Sequence, residues 1–128
     1  MSETSPSLLD RLTAGTIDPQ RFDHVAHLVV AHEALSRHSF FEATRRIAEG
    51  LEALTARIGV PEKYNATLTF AYMSLVAERM AADPTADAAA FVAANPDLTR
   101  GAPFARWYSE ARMSSPLARR VALLPDLG

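Results

Sequence analysis

Apolar residues recur at three- and four-residue steps along three stretches of the chain, and proline or glycine separates the stretches. Asp18-Pro19 supplies an N-cap and a proline in first helical position, predicting a helix from about Pro19 to Arg37. Ser39-Phe40-Phe41-Glu42 reads as a capping box that opens a second helix running to Ile58. Phe40, Ile47, Leu51, Leu54 and Ile58 form its apolar stripe, with Arg45, Glu49, Glu52 and Arg57 away from it. Gly59 then closes that helix in left-handed backbone. A third helix is expected from Pro61 to about Ala82, before Asp83-Pro84. Shorter helices are expected in SPSLLDRLTAG up to Gly15 and in ADAAAFVAA up to Asn95-Pro96. Others are expected from Pro103 through Phe104, Trp107 and Tyr108, and in LARRVALL behind Ser115-Pro116. No run alternates convincingly and no Asn-Gly or Asp-Gly pair marks a hairpin. The expected fold is all-α: one compact helical bundle, with three long helices in a core of about residues 19–82. A segment at 1–17 precedes it, and short helices with a C-terminal tail follow over about 85–128. The short connections between the long helices make antiparallel neighbours the expectation.

The third stretch, KYNATLTFAYMSLVAER at 63–79, is apolar on nearly every side, as in a helix buried mid-domain. At about 100° per residue, Tyr64, Thr67, Ala71, Ser74 and Glu78 still fall in one sector. In VAHLVVA, His27 is the lone polar residue, with His24 one turn before it and His32 and Glu33 towards an outer edge. A buried imidazole without a partner costs about 1–3 kcal/mol. The economical arrangement turns the polar groups of the two helices towards each other.

Composition narrows what such a seam can do. The chain has 128 residues, 48% hydrophobic and 22% charged, which fits one globular domain. No apolar run approaches the roughly 20 residues of a membrane span. The N-terminus lacks the basic start and apolar run of a signal peptide, so a cytoplasmic protein is expected. Cysteine is absent, which removes disulfides, thiolate metal sites and thiol nucleophiles. A net charge of −2 with scattered arginines argues against nucleic acid as partner.

Several chemistries fit the seam. His27 bonded to Glu78, Thr67 or Tyr64 can be a satisfied structural network. Alternatively, His27 and Glu78, with His24, form the catalytic kit of a cofactor-independent acid–base enzyme acting on a small anionic molecule. Tyr64, Lys63, Thr67 and Ser74 would then hold that substrate. Lys63, in an expected first helical turn, opposes the helix dipole, as a residue serving an anion would. His24 and His27 with a facing carboxylate also resemble a bundle metal site. An interaction module, or a homodimer, would use Phe40, Phe41, Phe104, Trp107 and Tyr108, which otherwise seal the bundle ends. No G-x-S-x-G turn and no glycine-rich phosphate loop is present, so no cofactor is expected.

RFDHVAHLVVA, KYNATLTFAYMSLVAER, NPDL and the late ARWYS, AR and LPD together resemble a small bacterial all-helical family. Its pattern is F-x-H-x-x-H-V, then K-Y-H-x-T-x-T and E-R, and the likeness spans about residues 20–126. It implies that Phe22, His24, His27, Lys63, Tyr64, Thr67, Thr69 and Glu78 hold shared positions. The family brings no activity with it, so the resemblance points to places and not to a reaction. Asn65 stands where the pattern has histidine. If the family site is a three-histidine metal centre, this chain lacks a ligand; if that histidine donates a proton, Asn65 keeps only the hydrogen bonding.

Overall fold

A computed structural model describes residues 6–84, 87–100 and 104–128, and all regular structure among them is helical. The helices are α1 (Leu8–Ala14), α2 (His24–Arg37), α3 (Phe40–Arg57), α4 (Ala66–Ala82), α5 (Ala88–Ala94), α6 (Glu110–Met113) and α7 (Pro116–Arg120). Single 3₁₀ turns at Pro19–Arg21, Pro61–Lys63 and Pro96–Thr99 join them. No described helix is long and apolar enough to cross a membrane.

Two of the expected helix starts fall elsewhere and one expected capping box does not form, each for a local reason. Asp18-Pro19 starts only a 3₁₀ turn, because Asp23 is a second cap whose side chain accepts from the Ala26 amide at 2.9 Å. The helix therefore begins at His24, and Phe22 is left outside it. Pro61 likewise starts one turn, and Asn65 caps α4 by accepting from the Leu68 amide at 2.9 Å. Tyr64 and Lys63 thus stand off the helix on which the periodicity put them. At Ser39 no capping box forms. The Glu42 carboxylate is taken instead by Arg45 at 2.6 Å and Arg46 at 2.9 Å.

The glycine stops are as expected: Gly15 and Gly59 take φ of 75° and 81° after α1 and α3. Asn95 ends α5, and Ser115 with Pro116 opens α7. That last helix is shorter than LARRVALL, and residues beyond Arg120 run as an irregular tail. Pro103 lies outside the described residues, and Phe104–Trp107 is a turn and not a helix.

Leu9 and Leu12 of α1, Leu28, Val30 and Ala31 of α2, Ile47 and Leu54 of α3, Met73 and Val76 of α4, and Phe91 of α5 form one buried cluster. Helix α2 lies at its centre, packed on α1, α3, α4 and α5. His32, expected near an edge, is buried there with its ring 5.1 Å from that of Phe91. Arg79 near the end of α4 donates to Asn95 at 2.8 Å and Asp97 at 2.9 Å, tying α5 and the following turn to the bundle. The aromatic residues divide: Phe104 and Tyr108 are buried, Trp107 is half-buried under Arg106, and Phe41 is exposed.

Candidate functional site

The two interrupted helix starts lie together. Pro19, Phe22 and His24 from one, and Lys63, Tyr64 and Asn65 from the other, line a single cavity of about 510 Å³. Its remaining wall is mostly apolar, from Val30 and Ala31 of α2, Ile47, Leu51 and Leu54 of α3, Leu68 of α4, and Leu98 and Phe104, with His27, Thr55, Thr69 and Tyr72 as its polar members. This volume lies within the about 300–1,000 Å³ common for small-molecule sites. Among the described residues no aspartate or glutamate lines it. The exposed side chains of His24 and Lys63 belong to its open rim, whereas His27, Tyr64 and Tyr72 are half-buried.

His27 is held by stacking. Its ring lies 4.1 Å from that of Phe22 at 27°, a contact made possible because the chain breaks between Phe22 and His24. Among the described residues the imidazole has no hydrogen-bond partner. Burial pushes its pKa down to about 4, and His24, with its ring 6.4 Å away, acts in the same direction. Asp23 opposes them weakly. At neutral pH His27 is therefore an uncharged imidazole, able to donate at one nitrogen and accept at the other.

Tyr72 adds a second unmet group: its hydroxyl is buried and has no partner among the described residues. Burial raises its pKa well above the usual phenol range, so it stays a neutral donor. Tyr64 is raised too, mainly by burial and then by Glu52. Comparison with protein-family models, with curated proteins and with solved structures returns no match.

Of the residues expected to form a site, His24, His27, Lys63 and Tyr64 come together. Glu78 does not join them: it is exposed, outside the cavity wall, and no ion pair with His27 forms. The acid–base pair across α2 and α4 is thus absent, and so is the carboxylate of the supposed metal site. Among the described residues no three His, Cys, Asp or Glu side chains are grouped to hold a metal ion. Ser74 is half-buried outside the cavity. Thr67 is fully buried on another face of α4. Its hydroxyl donates towards the carbonyls of Ala118 (2.9 Å) and Val121 (2.7 Å) and accepts from the Leu123 amide (3.0 Å). Thr67 secures the C-terminal segment and lies outside the cavity wall.

Asn65, the departure from the family pattern, lines the cavity and has both ends of its amide engaged. Its oxygen caps α4, and its nitrogen donates to the Met113 carbonyl at 2.8 Å. Periodicity also passed over Thr69 and Tyr72, which line the cavity beside Asn65 and Leu68. The signal was there: 65, 68, 69 and 72 share one helical stripe, displaced from the one that the wheel picked out.

Proposed function

We propose that the protein binds a small molecule with an apolar body and an anionic, hydrogen-bond-accepting end in the cavity between α2, α3 and α4. The observation that carries this reading is the pairing of apolar walls with ionisable lining groups of one kind. His24, His27 and Lys63 are basic, the tyrosines are neutral donors, and no carboxylate among the described residues lines the wall. An anion meets donors there, whereas an amine meets no acid to neutralise it. Of the eight positions on which the family resemblance rests, Phe22, His24, His27, Lys63, Tyr64 and Thr69 line this cavity. That clustering is expected of a shared site.

Acid–base catalysis is the weaker reading. Without Glu78 to orient it or raise its basicity, His27 at about pKa 4 is a poor base at neutral pH. Binding fits the geometry better than turnover.

The test is a thermal-shift series in which a carboxylate, an alcohol and an amine share one apolar body. The carboxylate should raise Tm most, because ligand that binds only the folded state stabilises it by mass action. Ala31 lines the cavity and is 1% exposed, so Ala31→Phe should fill the space and abolish the shift while the fold is kept. An amine that stabilises as well as the acid, or a shift untouched by Ala31→Phe, would defeat the reading.

A further inference from the structure

Resting on that binding reading, we propose that the ligand is a monocarboxylate with an apolar body, and that it is bound together with one proton held on His27. Two features of the cavity select a carboxylate over a phosphate. Among the described residues no arginine lines it, and of the amides at the start of α4 that of Leu68 is already bonded to the capping Asn65 at 2.9 Å. A doubly charged phosphate needs several donors when taken out of water. The half-buried donors here are His27 and the two tyrosines, enough for a single carboxylate.

The proton follows from charge balance. An ionised carboxylate inside apolar walls needs a compensating charge. The groups that surround His27 are few. On its own element His24 opposes protonation, while Asp23 favours it but is committed to capping the Ala26 amide. The segment before α4 brings Lys63 at the rim and Tyr64; α4 brings the neutral Tyr72. Helix α3 contributes no titratable group to the cavity, and neither do Leu98 and Phe104. With no acid among the described lining residues, the ligand supplies the one that faces His27 inside the cavity. An imidazolium formed beside it pairs with the carboxylate and keeps the Phe22 ring, 4.1 Å away, against its face. No bond is made or broken apart from the transfer of a proton from solvent to an imidazole nitrogen.

Calorimetric titration of the whole chain with octanoate, 1-octanol and octyl phosphate, each in Pipes and in Tris, counts the protons taken up. Octanoate should bind with uptake of about one proton and weaken about tenfold per pH unit above neutrality. His27→Gln should bind it with no uptake. In the wild type, ¹⁵N spectra of the His27 ring should change from the neutral to the doubly protonated pattern when octanoate is added, a readout that needs no variant. Octanoate binding without proton uptake, or uptake retained in His27→Gln, overturns this inference and leaves anion binding standing. Octyl phosphate binding more tightly than octanoate overturns the carboxylate assignment and likewise leaves anion binding. Octanol binding as tightly as octanoate overturns the need for an anion, and no binding by any of the three overturns the binding reading itself.

Discussion

His27 links the protein's stability to pH in a direction opposite to that of a salt-bridged histidine. Its folded pKa of about 4 lies below the ordinary 6.5, so above pH 6.5 it is neutral in both states and makes no pH-dependent contribution. As pH falls from 6.5 towards 4, the unfolded chain takes up a proton that the folded one refuses. Stability therefore falls across that window, by up to about 3 kcal/mol once pH is below 4. Urea unfolding between pH 7 and 4 should show this slope in the wild type and a flatter one in His27→Gln. Equal slopes would mean that the ring is better hydrated than its stacking on Phe22 indicates. The carboxylates of Glu42, Asp10, Asp97 and Asp126, held low by arginine or serine donors, add their own loss only from about pH 5 downwards and leave the upper part of the window to the histidine.

At the scale of elements, the helices were legible where a stop or a cap stood alone. Gly15, Gly59 and Ser115-Pro116 had no competitor and lie where the chain pattern put them. Asp18-Pro19 and Pro61 misled because each is followed within five residues by a second capping side chain, Asp23 or Asn65, that captures the helix start. A proline signal marks the first turn and says nothing about whether that turn continues. The polar seam failed for another reason. Helix α4 is covered on several sides, and apolar cover all round leaves the wheel unable to say which neighbour meets which face. Thr67 and Glu78 were assigned to the α2 side on that ground, yet one faces α7 and the other water. Packing between α1 and α3 was not legible at all, because Gly50 reads as an ordinary weak point in a helix. A Cβ there would stand 2.6 Å from Leu12 Cγ, and Leu12 is 1% exposed. Gly50→Ala should therefore destabilise, since overpacking costs about 1–3 kcal/mol against the roughly 1 kcal/mol gained in helix propensity. Chemical denaturation decides it, and a more stable variant would show that α1 can slide away.

Across the whole molecule, the C-terminal third depends on a few long-range hydrogen bonds to the bundle. Thr67 serves three backbone groups of residues 118–123, Asn65 holds Met113, and Tyr108 donates to the Leu123 carbonyl at 2.9 Å. Replacing Thr67 with valine keeps the volume and leaves those backbone groups unmet, at a cost of about 1–3 kcal/mol. Hydrogen exchange should rise in residues 116–123, while ligand binding in the cavity stays unchanged. Loss of binding in Thr67→Val would return that side chain to the site.

The paired proline turns have an outcome for how such a pocket can diversify. Its aperture is framed by two single turns, Pro19–Arg21 and Pro61–Lys63, in which no side chain is buried. Substitutions or small insertions at those links can reshape what the opening admits, and the scaffold beneath need not be rebuilt. Access to the pocket is in this way set by residues that the core does not need.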